Sequence, residues 1–211
     1  MTEDQQPAYD IADEYIIHDL ETLKVLADSL RLQIIQAIGN LTPRTVKQVA
    51  KALDTPPHKL YYHVNMLEEH GIIQVVETRV VSGIIEKLYL TTAHRFMPAP
   101  ELLTVESETN IEHLTMMIDS VWASTRQDFI RSARANIADL GTMNDDDATT
   151  ALLAGHMMLT HDKAVEFHQR LQALFEEYSY KKMQAQIDMQ QARPYQFLYT
   201  FFPLANGEDS D

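Results

Sequence analysis

Cysteine is absent from the 211 residues, which excludes disulfides, thiolate metal ligands and thiol nucleophiles together and suits a reducing compartment. Basic residues are outnumbered, 17 Lys and Arg against 31 Asp and Glu, for a formal net charge of -14; a balance of that sign argues against a general polyanion binder. No run approaches the roughly 18 apolar residues of a membrane span. The opening MTEDQQPAYD lacks the basic end and apolar stretch of a signal peptide. No nucleophile elbow, phosphate loop, dinucleotide fingerprint or paired-carboxylate pattern is present, so the chain is expected to be neither an enzyme nor a cofactor binder. These absences point to a soluble, cytoplasmic protein with no membrane partner.

Hydrophobic residues make up 45% of the chain and charged residues 23%, enough apolar material for a core and too much for low-complexity disorder. The length suits one domain or two small ones. Split along the chain, the charge is -7 over residues 1–28, +3 over 29–98 and -10 over 99–211. A modestly basic segment between two acidic ones is the pattern of a chain in which a single part meets phosphate.

Apolar spacing predicts a helix over Asp10 to Ala27, with Ile11, Tyr15, Ile16, Leu20 and Leu23 on one side, then a second helix capped by Asp28 or Ser29 and stopped at Gly39-Asn40. Thr45-Val46-Lys47-Gln48 has the form of a capping box and opens a short third helix that runs to about Leu53. Asp54-Thr55-Pro56-Pro57 makes a turn, since proline lacks an N–H and is tolerated only in a helix's first turn or outside it. A fourth helix follows from about Pro57 to Glu69, with Leu60, Val64 and Leu67 inward. Two β-branched runs, 72–78 and 84–90, then flank Arg79 to Gly83 as a hairpin with Ser82-Gly83 near its tip.

Past Pro98 and Pro100 the composition turns acidic, and a boundary near 97–103 divides the chain into residues 10–97 and 103–204. In the second part, Ile111 to Ala133 reads as one long amphipathic helix and His161 to about Gln190 as another. Ala151 to Thr160 and Tyr195 to Phe202 read as strands. The expected fold class is mainly α with small β: an N-terminal winged helix-turn-helix followed by a C-terminal α+β domain for dimerisation or sensing.

Short helix, tight turn, longer helix and hairpin is the order of a winged helix-turn-helix, whose second helix enters the DNA major groove. Leu26-Ala27-Asp28-Ser29-Leu30-Arg31-Leu32, Thr45-Val46-Lys47-Gln48-Val49-Ala50, Leu60-Tyr61-Tyr62-His63-Val64 and Leu67-Glu68-Glu69-His70-Gly71-Ile72 together resemble the ArsR-type winged-helix regulators over residues 19–93. Tyr61-Tyr62-His63 and the long helices after the wing look like the branch with a C-terminal helical domain instead of a metal site. The resemblance implies a homodimer on double-stranded operator DNA, usually a repressor. By position it implies Thr45 and Lys47 near phosphate, His58, Lys59, Tyr61, Tyr62 and His63 on the recognition helix, and Arg79, Ser82 and Lys87 on the wing.

The metal-sensing members use cysteine or Asp/His sets, and this chain has no cysteine. His161 and His168 share one predicted helix, but seven residues put them about 10 Å apart along it, too far for one ion unaided. Met116, Met117, Met143, Met157, Met158, Trp122 and the aromatic run Tyr195, Phe197, Tyr199, Phe201 read as core or dimer interface, or as the lining of a small-molecule effector pocket. A winged helix used only for protein contacts is the second functional reading, motivated by the net charge. If DNA is the partner, acidic flanks around a +3 segment predict binding that is specific and unusually sensitive to salt.

Overall fold

The computed structural model describes residues 9–39, 42–104, 108–141, 145, 148–183, 186, 188 and 191–204. The chain is mixed α and β and divides into two compact units, Met1–Arg131 and Ser132–Asp211.

The first unit opens with a strand, β1 (Ala12–Ile17), followed by α1 (Leu20–Leu26) and α2 (Ser29–Ile38). The single helix expected over 10–27 is therefore corrected: its first half is extended. The cause is a long-range partner, because β1 pairs in parallel with β5 (Ala93–Pro98), Ala12 opposite Ala93 and Ile17 opposite Pro98. Tyr15 meets the Phe96 ring at 5.8 Å and Ile17 is buried. Ile11, Tyr15 and Ile16 fit either a helical or an extended period, and the ladder decides between them.

Aspartates start the next two helices. Asp19 accepts from the Thr22 N–H at 2.7 Å and Asp28 from the Arg31 N–H at 2.9 Å, each satisfying one free donor of a first turn. The Arg31 guanidinium reaches back to the carbonyl oxygens of Val25 and Lys24 at the end of α1. Gly39 ends α2 at φ 66°, a left-handed conformation that suits glycine.

A two-residue strand, β2 (Arg44–Thr45), leads into α3 (Val46–Ala52) and α4 (Pro57–Glu69); β3 (Ile73–Val81) and β4 (Ile84–Thr91) then form the hairpin. The sheet order is β2-β4-β3, all antiparallel. Leu60, Val64 and Leu67 of α4 are fully buried with Ile34 and Ile38 of α2, Val49 of α3 and Ile72 and Ile73. Burial of this kind stabilises by about 1.5–3 kcal/mol per large side chain. The core thus locks α4 by one face and leaves the opposite face outward.

Helix α5 (Glu108–Arg134) is long, as its spacing predicts. Its N-terminal part joins the first unit, with Met117 against the core. Further along, Gln127 and Arg131 both bond to the Gln33 side chain of α2, Arg131 at 3.0 Å.

In the second unit, α6 spans His161–Glu177 and a short α7 spans Tyr180–Met183. The predicted helix to Gln190 stops early, at Tyr178 and Ser179. The Ser179 carbonyl accepts from the Lys182 and Met183 N–H groups and starts a new turn. Most of 184–190 lies outside the described residues. The two predicted strands are also corrected: among the described residues neither 151–160 nor 195–202 belongs to a strand ladder. A strand is defined by a ladder, and among the described residues these runs join none. Tyr195–Phe202 nevertheless lies along α6, with Phe197 stacked on Phe175 at 4.6 Å and Phe201 on Phe167 at 5.0 Å.

Candidate nucleic-acid interface

The supporting helix α3 begins as a capping box. The Thr45 hydroxyl accepts from the Gln48 N–H at 3.2 Å, and the Gln48 side chain accepts from the Thr45 N–H at 2.8 Å. Thr45 itself is 3% exposed, so it holds the start of α3 and directs Lys47 outward without reaching a ligand. After α3 the chain turns sharply. Asp54 takes φ 49°, the Thr55 N–H returns to the Ala50 carbonyl at 2.9 Å, and Pro57 occupies the first turn of α4. Lys47, Lys51, Asp54 and the two prolines line an open cleft at this turn.

At 100° per residue, His58, Tyr62 and Asn65 fall on the side of α4 opposite Leu60, Val64 and Leu67, and Tyr61 lies at one edge of that side. All four are exposed, Tyr62 at 65%. Lys59 lies on the flank of this stripe, exposed and in no ion pair among the described residues. His63 sits nearer the core side and is half-buried, its ring edge-on to Tyr62 at 5.5 Å. Its Nδ1 is buried without a partner among the described residues. The stripe offers hydroxyl, amide and imidazole groups with aromatic faces, the chemistry that reads base edges and phosphates.

The hairpin is tighter than predicted. Ser82 and Gly83 alone form the tip, at φ 52° and 79°, with Val81 opposite Ile84. Positive φ at both residues is the requirement of a two-residue type I′ connection. Arg79 is consequently not at the tip but three positions back in the ladder, opposite Glu86. The tip instead exposes Val80, Val81, Ile84 and Ile85 around Ser82.

That register has an electrostatic consequence. Glu86, its side chain 12% exposed, accepts from Lys47 Nζ at 2.6 Å and from Arg79 Nε at 3.3 Å. Lys47 and Arg79 hold the Glu86 carboxyl below its ordinary range, the hydrogen bond from Lys47 contributing most, and the same bond raises the Lys47 ammonium. Lys87 is likewise paired, with Glu68 at 2.8 Å, and the Tyr89 hydroxyl donates to the same carboxylate at 3.2 Å. Burial, followed by Glu68, pushes the Tyr89 phenol above its ordinary range. Three of the four cations expected to meet phosphate are therefore held by carboxylates, and Lys59 is the exception.

Glu86 and Glu68 are the residues that sequence reasoning missed. A usable signal was present: a two-residue Ser82-Gly83 turn sets Arg79 opposite Glu86 by counting alone. Elsewhere the chemistry is sparse. No group of three His, Asp or Glu among the described residues could hold a metal ion, and no described helix is long and apolar enough to cross a membrane. Trp122, Met116, Met157 and Met158 are exposed, Met117 packs on the first core, and Met143 lies outside the described residues. A shallow cleft in the second unit is lined by other residues, Ala133, Asn136, Ala138, Asp139 and Leu140.

Two helices joined by a tight turn, the second carrying an exposed polar stripe and followed by a hairpin, define a helix-turn-helix module. Residues 26–76, from the end of α1 into β3, match the family model described as a helix-turn-helix domain. No curated protein matches the chain. The chain thus carries a helix-turn-helix domain of the kind used by DNA-binding regulators.

Proposed function

We propose that this protein is a homodimeric, ArsR-like winged-helix repressor that binds double-stranded operator DNA in the cytoplasm. The observation that carries the reading is the stripe His58, Tyr61, Tyr62 and Asn65 with Lys59 beside it, set on a helix whose opposite face is fully buried. A rigid helix with outward donors suits insertion into a major groove about 12 Å wide. Lys47, Arg79, Ser82 and Lys87 flank it toward the phosphates, with Thr45 fixing the start of α3. In this division residues 10–97 read DNA and residues 103–204 serve dimerisation and a small-molecule effector. One recognition helix discriminates weakly, whereas two on successive turns multiply the selection.

The test is a salt-dependent anisotropy or mobility shift with DNA from the upstream region of its own gene and with a selected random pool. Lys59→Ala combined with Tyr62→Ala should abolish the shift and leave the melting temperature unchanged. Loss of the fold would instead make those residues structural. A second reading, a winged helix that binds protein and not DNA, is favoured by the carboxylates on Lys47, Arg79 and Lys87. It requires DNA affinity no better than that of an acidic control protein.

A further inference from the structure

The two longest stretches of the chain without Asp, Glu, Lys or Arg are 148–161 and 194–207. They contain the two runs expected to be strands. Phe197 and Phe201 meet Phe175 and Phe167, respectively. Eight helical residues rise about 12 Å, and four residues span about 13 Å only when extended. The segment therefore already has strand geometry, antiparallel to α6, with one face on the helix.

What it lacks, among the described residues, is a strand ladder. Among the described residues no ladder forms along 151–159 or 195–202, although backbone N–H and C=O groups of apolar strands need partners. Leu153 and Met158 are both 94% exposed, and Leu152, Met157 and Phe202 are more than half exposed. Leu152-Leu153 and Met157-Met158 place apolar groups on both faces of the run, the pattern of a strand covered on both sides.

We infer that a second copy of this chain supplies the cover, its 151–159 and 195–202 segments pairing with these to form one intermolecular sheet backed by α6. Charge selects that occupant. A chain of net charge -14 repels its own copy over most of its surface, and these uncharged runs are where a two-fold pairing brings no like charges together. The area suffices as well: the exposed aromatic side chains, at roughly 150–250 Å² each when fully buried, and their aliphatic neighbours approach the roughly 800 Å² per partner of a standard interface. The inference rests on the homodimer reading and names its surface.

Sedimentation of the full chain should show a dimer at micromolar concentration. Leu153→Glu with Phe202→Glu should weaken it at least about tenfold per introduced carboxylate, with the melt of the first unit unchanged. Wild-type protein that stays monomeric, or a variant that dimerises as tightly as wild type, overturns the inference. Should the variant misfold, hydrogen exchange on the wild type decides. Protection at 151–159 and 195–202 that rises with dimer fraction supports pairing between copies. Protection independent of concentration, or none at any concentration, overturns it. A dimer that behaves as expected yet binds no DNA leaves this surface in place and defeats only the operator reading.

Discussion

Among the described residues, every buried apolar side chain lies between Ile17 and Ala99, while none from 132 to 204 is buried. The two regions do not differ in apolar content so much as in where it goes. In the first, Leu60, Val64 and Leu67 share a core with residues of α2, α3 and the hairpin. In the second, Leu153, Met158 and Phe202 face outward, and Phe197 stays exposed although it stacks on Phe175. The first region closes a core of its own, whereas the second, among the described residues, closes none. Stability should accordingly reside in the first region, and dependence on concentration in the second.

The sharpest way to break this contrast is a matched pair of truncations. Leu60→Ala should destabilise the first unit by about 2–5 kcal/mol in denaturant unfolding, because it opens a cavity in a closed core. Leu153→Ala should leave that transition within about 0.5 kcal/mol. Equal losses would mean that the two regions share one cooperative core. Next, Thr45→Ala should cost about 1 kcal/mol, since it removes the cap of α3, and Thr45→Ser should restore most of it.

At the surface of the first unit, Glu86→Gln should raise affinity for DNA of arbitrary sequence severalfold, because Lys47 and Arg79 lose the carboxylate that competes with phosphate. An unchanged or weaker affinity would show that Glu86 instead positions the two cations productively. The smallest effect concerns acid. Burial lowers His94 of β5 below its ordinary value of 6.5, so the unfolded chain takes up the proton first. Stability should then fall as pH drops below 6.5 toward the lowered value, and His94→Gln should flatten that slope in melts of the first unit.

The helix-turn-helix is legible in the sequence because local signals set it: a capping box at Thr45, a proline turn at Pro56-Pro57 and a four-residue apolar period through Leu60 and Val64. The recognition stripe follows from the same period. What escapes is non-local. β1 is extended because of β5, some eighty residues away, and nothing in residues 10–17 records that partner. The Glu86 clamp depends on ladder register, which in turn depends on reading the turn as two residues long. The C-terminal runs 151–160 and 195–202 read as strands by composition, yet among the described residues neither joins a ladder, because composition supplies strand propensity and not the partner that a strand needs.

The Glu86 and Glu68 pairs also change how the proposed DNA-binding surface behaves as a polyelectrolyte. Lys47, Arg79 and Lys87 arrive with two internal counterions already in place, so the set of five side chains carries a net charge of about +1. Binding by free cations exchanges dissolved ions for phosphate, with a logarithmic salt slope of roughly -0.9 per phosphate neutralised. Here part of that exchange is internal: each phosphate must displace a carboxylate that ionic strength barely dilutes. The slope from this face should be nearer that of one contact than of three, blunting the salt sensitivity that segment charges alone predict. Ionic attraction then contributes little to arbitrary sequence, and the discrimination falls to the uncharged stripe of α4.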